Sequence, residues 1–275
     1  MKIIHLSDTH FVPPGKKLYG REPKVALDAA IADINANHAD AELVIATGDL
    51  THWGEADAFG SLAQSFDALE PPLKLLIGNH DARDVFRSYF PDQAGDSPDF
   101  IHGVQDVSAG RFVYLDTVLA GTHQGHFCDA RCQWLSDTLA AAAGRDVFLF
   151  MHHPPFLIGL PALDAISLQQ RDEFRAAVEP HKASIRHLFF GHVHRTIAGS
   201  WLGIPVSSVR SMNHQTRLQM TEGPLAGNFE PPSYAVVLIE DDQVVVHFHD
   251  FLDDSHRFFL ADSPWDDWSR RKAHP

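Results

Sequence analysis

The chain has 275 residues, enough for one large domain or one domain with an appendage, and its 44% hydrophobic and 21% charged composition is that of a globular protein. Lys plus Arg number 22 against 36 Asp plus Glu, and the resulting net charge of −14 disfavours wrapping duplex nucleic acid or inserting at an anionic membrane. No apolar run reaches the roughly 18 residues that cross a bilayer. The opening MKIIHLSDTH turns polar too early for a secretory signal, so a cytoplasmic location is expected, and Cys128 and Cys132 alone build no disulfide framework.

In chain order, Lys2–Leu6 is a short apolar run followed by a loop. Leu27, Ile31 and Ile34 recur at helical spacing, 43–46 is the next apolar run, and Phe59, Leu62, Phe66 and Leu69 form a second helical stripe. Strands are expected at 73–77, 112–115, 147–151 and 188–190, with helices marked by Trp134, Leu135 and Leu139 and by 168–178, the latter stopped by Pro180. This alternation predicts α/β architecture. The last third changes character: 205–209, 234–239 and 244–248 read as strands without helices between them. The last two flank a hairpin at Glu240-Asp241-Asp242, and 211–232 reads as a long loop. This end is expected to pack on the first sheet or extend it. The tail 261–275 is polar apart from Trp265 and Trp268; it is either a docked arm or a partner contact, which leaves a homo-oligomer open.

Histidine is the compositional outlier, at 19 residues. Five expected strands end alike: Asp8 and His10; Gly48 and Asp49; Gly78, Asn79, His80 and Asp81; His152 and His153; Gly191, His192 and His194. Ligands in open α/β sheets sit beyond the carboxyl ends of the strands, so these clusters should meet along one rim. Each alone reads as a turn or a cap; together, in this order, they read as a site. The donors are nitrogen and oxygen without thiolate, too many for one tetrahedral zinc but suited to two metals about 3.5–4 Å apart. Two such cations need an anionic bridge, and Asp49 is the natural choice.

The ordered set Asp8-Thr9-His10, Gly48-Asp49, Gly78-Asn79-His80-Asp81, His152-His153 and Gly191-His192-Val193-His194 resembles the calcineurin-like metallophosphoesterase superfamily, over residues 8–194. Ser7-Asp8-Thr9-His10-Phe11, Leu18-Tyr19-Gly20, Leu115-Asp116-Thr117, Trp134-Leu135 and Met151-His152-His153-Pro154-Pro155 are similar to bacterial class III cyclic nucleotide phosphodiesterases and binuclear glycerophosphodiesterases. The resemblance implies a four-layer αββα sandwich of two mixed β-sheets flanked by helices. With the strand pattern of the last third, a metallophosphoesterase domain is expected over 1–260, its motifs within 8–194 and a mainly β extension at 196–260, followed by a tail at 261–275. The resemblance assigns Asp8, His10, Asp49 and His194 to a first metal, and Asp49, Asn79, His152 and His192 to a second. His80 would touch the phosphate, supported by Asp81, or would only orient the site.

The expected reaction is hydrolysis of a small phosphodiester, a 3′,5′-cyclic nucleotide or a glycerophosphodiester, by a metal-bound hydroxide, with two divalent or trivalent ions drawn from Fe, Mn, Zn or Co. Tyr19, Asn79, His80, His153 and His214 are the candidate substrate contacts. Alternatives are a phosphomonoesterase or protein phosphatase, since the ligands do not encode that choice, and a non-catalytic binding protein on the same fold. His123, His126, Cys128 and Cys132 are spaced loosely like a zinc site, but packing is the expected role of the cysteines. His5, His187, His247 and His249 are expected to be core or face residues.

Overall fold

The computed structural model describes residues 1–95, 97–255, 257–260 and 264–265. In chain order they form β1 (Lys2–Leu6), α1 (Pro23–His38), β2 (Leu43–Thr47), α2 (Ala56–Phe66), β3 (Leu73–Leu76), α3 (Arg83–Tyr89), β4 (Gly103–Val107), β5 (Gly110–Leu115), α4 (Asp129–Ala140), β6 (Val147–Met151), α5 (Pro161–Asp164), α6 (Arg171–Val178) and β7 (Ile185–Phe190). They continue as β8 (Ile197–Trp201), β9 (Ile204–Ser208), β10 (Gln215–Thr216), β11 (Gly227–Asn228), β12 (Tyr234–Ile239) and β13 (Val244–His249).

Two mixed sheets stack face to face. One has the order β13-β12-β1-β2-β3 and the other β4-β5-β6-β7-β9-β8. Strands β1, β2 and β3 are parallel, as are β5, β6, β7 and β9. Because both faces of these central strands are covered, they are apolar throughout rather than alternating: β2 is LVIAT and β6 is VFLFM, and every residue is buried. Ile3, Ile45, Phe112, Phe148, Phe150 and Phe189 fill the layer between the sheets. Leu27, Ile31 and Ile34 of α1 and Phe59 and Leu62 of α2 cover the outer face of one sheet; Leu135 and Leu139 of α4 and Phe174 of α6 cover that of the other. The result is the expected sandwich of helices around two sheets. The final third extends both: β12 pairs antiparallel with β1 and β13 antiparallel with β12 on the first sheet, and β8 and β9 continue the second.

Several expectations shift. Helix α6 begins at Arg171 rather than 168, because Leu168 N–H bonds Pro154 O and Gln169 N–H bonds Gly125 O. The α2 stripe outlasts its helix, since Asp67 caps it before Leu69. The loop at 211–232 contains the short β10–β11 pair. Trp268 and most of the expected tail lie outside the described residues.

His5 and His187 are core residues. Each uses one ring nitrogen, His5 Nε2 on Thr47 Oγ1 at 2.9 Å and His187 Nε2 on Ser207 Oγ at 2.8 Å, and each leaves a buried Nδ1 without a partner among the described residues. Burial, reinforced by the neighbouring His187, pushes His5 down to about 3; burial pushes His187 down to about 4. The unfolded chain therefore binds these protons below about pH 6.5 while the folded chain does not. Stability should fall as pH drops from 6.5 toward 4, each residue adding about 1.4 kcal/mol per pH unit to the slope. Urea unfolding of His187→Gln at pH 7, 6 and 5 should show a slope shallower by that amount. A slope equal to that of the parent would contradict this role.

Candidate metal centre and its cavity

The parallel strands of both sheets end on one side, and their loops interlock there. Asp8 N–H bonds Gly48 O at 3.0 Å, His10 N–H bonds Asp49 O at 2.9 Å, and His192 N–H bonds Asp8 Oδ1 at 3.1 Å. These bonds tie the β1 loop to the β2 loop within one sheet and to the β7 loop across to the other. The five strand-end clusters thus meet as the chain order predicts.

The backbone holds them under strain. Asp8, His10, Asp49, His192 and His194 all have φ between 46° and 69°, the left-handed region that non-glycine residues avoid. Such conformations cost on the order of 1–3 kcal/mol each and persist where surrounding structure over-determines them, commonly at functional sites.

Asp8, His10, Asp49 and His194 offer ligand atoms that all lie within 4.8 Å of one another, and all are buried. His10 Nε2 and His194 Nε2 face each other at 2.9 Å, with Asp49 Oδ2 3.6 Å from the former and Asp8 Oδ1 3.5 Å from the latter. On the other side, Asp49 Oδ1 lies 3.3 Å from His152 Nε2, which is 3.2 Å from Asn79 Oδ1. The His192 ring stands 5.1 Å from the His152 ring. The two oxygens of Asp49 therefore face two different groups of donors.

Asp8 Oδ2 and His192 Nε2 are buried without a hydrogen-bond partner among the described residues. Orphaned polar atoms of this kind, in a cluster of nitrogen and oxygen donors, fit bound metal ions. Burial raises the Asp49 carboxyl but the surrounding histidines, His152 first, hold it well below the usual range. Burial lowers His152, yet Asp49 and Asp8 carry it up to about 9.

Gly78 admits the close approach of these parts. A Cβ there would overlap Asp49 Oδ1 and sit 2.7 Å from His152 Cε1. Gly78→Ala should therefore reduce metal uptake at least tenfold, read by titration against a metal indicator. Uptake equal to that of the parent would show that the pocket yields.

The remaining candidates divide. Tyr19, Asn79, His80 and His214 line a cavity of about 610 Å³ in front of the cluster. His153 does not. It is buried, with Nδ1 2.7 Å from Thr117 Oγ1 and Nε2 3.2 Å from His123 O, so neither ring nitrogen is free for substrate. Asp81 does not hydrogen-bond the His80 ring among the described residues. Its carboxylate accepts from the N–H groups of Gly78, Leu50 and Thr51 and from the Thr51 hydroxyl, stapling the β2 and β3 loops together. Burial, with the nearby Asp49 charge, raises it to about 6.

His80 is instead held by His52, which the sequence reading missed. His80 Nδ1 lies 2.5 Å from His52 O, the two rings stack at 4.8 Å, and His52 Nδ1 is 3.2 Å from His10 Nδ1. His52 follows Asp49 by three residues in the same strand-end loop, which was the available signal. His123, which the sequence spaces loosely with Cys128 and Cys132, lines this cavity, 3.0 Å from Asn79 Nδ2. Cys128 sits at the N-cap of α4, and burial raises Cys132 to about 11.

The calcineurin-like phosphoesterase family model matches residues 1–196. A protein of Rhodopseudomonas palustris named "probable cyclic nucleotide phosphodiesterase" is 42% identical over 96% of this chain and 97% of its own length. The glycerophosphodiester phosphodiesterase GpdQ of Enterobacter lignolyticus is 29% identical over 78% of each chain. A crystal structure of a dimetal phosphatase from Danio rerio shares the fold, with a TM-score of 0.69 and 15% identity over 92% of this chain and 96% of that one. With the family model covering most of the sequence and a relative 42% identical over nearly its whole length, this chain belongs to the calcineurin-like phosphoesterase family.

Proposed function

We propose that the chain hydrolyses small phosphodiesters, a 3′,5′-cyclic nucleotide or a glycerophosphodiester, with two metal ions as cofactor and residues 1–260 as one catalytic domain. The observation that carries the reading is the placement of Asp49, whose two oxygens face His10 and His152 on opposite sides. Asp8, His10, Asp49 and His194 would hold one ion, and Asp49, Asn79, His152 and His192 the other. Bound there, the ions supply charge neutralisation at phosphorus and acidify water near neutral pH. Mn, Fe, Zn and Co all suit such donors.

The protein's own groups do the rest. The His52 carbonyl accepts the Nδ1 proton of His80, which leaves Nε2 for the cavity that the ring lines. In the imidazolium form, with both ring nitrogens protonated, Nε2 would pass its proton to the leaving oxygen and leave a neutral ring whose Nδ1–H stays on the His52 carbonyl. Among the described residues lining the cavity, none is Lys or Arg. No described helix is long and apolar enough to cross a membrane.

Hydrolysis of bis(p-nitrophenyl) phosphate against p-nitrophenyl phosphate, with and without Mn²⁺, tests the reading. A metal-dependent preference for the diester is expected. Preference for the monoester would favour a phosphatase, and no turnover after metal loading would favour a binding protein on this fold. His80→Ala should lower kcat about 10²-fold with metal content unchanged. Loss of metal in that variant would make His80 an orienting residue only.

A further inference from the structure

The floor of the cavity is titratable, but its mouth is aromatic. Tyr19, Trp53 and Phe229 all line it, and they are 60%, 66% and 53% exposed. Single exposed apolar residues are ordinary; three aromatic rings at one opening mark a binding surface. Each is braced by a polar neighbour rather than by the core. Tyr19 leans on His214 with centroids 4.6 Å apart, and Trp53 stands edge-on to His52 at 4.5 Å. Phe229, just beyond β11, carries the Arg21 guanidinium over its ring at 4.5 Å. Tyr19 is held there by a left-handed backbone, φ 50°.

The rest of the lining says what such rings would meet. Among the described residues lining the cavity Asp49 is the sole carboxylate, so a cationic distal group of a ligand finds no counter-charge at the mouth. A quaternary ammonium would lie near the guanidinium already stacked on Phe229 and be repelled; a neutral flat ring would not. The wall also offers few free hydrogen-bonding groups. Asn228 is committed to Glu230, Gln215 to the Ser211 backbone, and the Thr216 hydroxyl to Val193 O.

We infer that Tyr19, Trp53 and Phe229 form a stacking mouth for the base of a 3′,5′-cyclic nucleotide, which selects that class among the small phosphodiesters. The inference rests on the proposed diester hydrolysis. Stacking without edge contacts holds a base while reading its identity weakly, because every base has a π-face.

The test uses metal-loaded parent enzyme and Phe229→Ala, a substitution at a half-exposed position. Kinetics are measured on 3′,5′-cyclic AMP and on glycerophosphocholine, with adenosine as a phosphate-free competitor. In the parent, kcat/KM is expected to be higher for cyclic AMP, and adenosine should inhibit competitively. In Phe229→Ala the KM for cyclic AMP and the adenosine inhibition constant should both rise about tenfold, and the preference for cyclic AMP should fall by the same factor. Turnover of glycerophosphocholine with no inhibition by adenosine would overturn the stacking mouth while leaving diester hydrolysis intact. A parent preference for glycerophosphocholine that falls in Phe229→Ala would make the mouth a cation site and likewise overturn it. Failure to hydrolyse either diester would overturn the functional reading itself.

Discussion

Asp49→Ala should lower kcat/KM for a phosphodiester by about 10³-fold, the equivalent of roughly 4 kcal/mol of transition-state stabilisation supplied by the metals. The expectation follows from what Asp49 faces. Oδ1 accepts the His80 N–H at 2.9 Å and lies 3.3 Å from His152 Nε2; Oδ2 lies 3.6 Å from His10 Nε2. Asp8, the other carboxylate of the cluster, faces the His194 ring at 3.5 Å and accepts the His192 backbone N–H at 3.1 Å, both through Oδ1. Without Asp49, no anion stands between the two groups of donors, and two cations there would repel each other unscreened. Metal content should therefore fall along with activity. Asp49→Asn retains one oxygen and the shape, so its thermal midpoint should stay near that of the parent while activity is lost. Full metal content with parental turnover in Asp49→Ala would contradict the bridging role.

Asp116→Ala should destabilise the fold by about 3–5 kcal/mol, because it breaks a buried ion pair from one side. Asp116 follows β5, and its side chain is fully buried. Its two oxygens receive the Arg83 fork at 2.7 and 2.8 Å together with the N–H groups of Ile101 and Val118. Arg131 of α4 approaches within 3.7 Å and bonds the Asp116 carbonyl at 2.8 Å. One carboxylate thus fastens α3, α4 and the segment before β4 to the end of β5. Its loss would leave two guanidiniums without a counter-charge, Arg131 being 2% exposed. At about 2–4 °C per kcal/mol for a chain of this size, the thermal midpoint should drop by about 10 °C. A shift below about 2 °C would show that Arg83 and Arg131 find other partners.

Much of this was legible in the sequence, for a definite reason. Parallel strands ending on one side bring their trailing loops together, so five strand-end clusters could be read as one rim before any geometry was known. Central strands covered on both faces announce themselves as unbroken apolar runs, as in β2 and β6. Edge strands do not. β4 and β8 escaped notice because each has an exposed middle, and α3 because Phe86 is its single fully buried residue.

The site was less legible in detail. Left-handed backbone at Asp8, His10, Asp49, His192 and His194 is imposed by the interlocked loops and has no residue code. The support of His80 by His52 rather than Asp81 depends on a carbonyl, and sequence carries no mark for where a carbonyl points. The burial of His153 between Thr117 and His123 required knowing how the β5 and β6 loops cross. Trp53 and Phe229 lie far apart in the chain and share a cavity mouth through tertiary folding alone.

Everything proposed for the site turns on a pair of metal ions bridged by Asp49. That pair is tested most directly by anomalous diffraction from Mn²⁺-loaded crystals. The predicted result is two peaks about 3.5–4 Å apart, one among Asp8, His10, Asp49 and His194 and the other among Asp49, Asn79, His152 and His192. A single peak, or peaks that do not share Asp49, would contradict it.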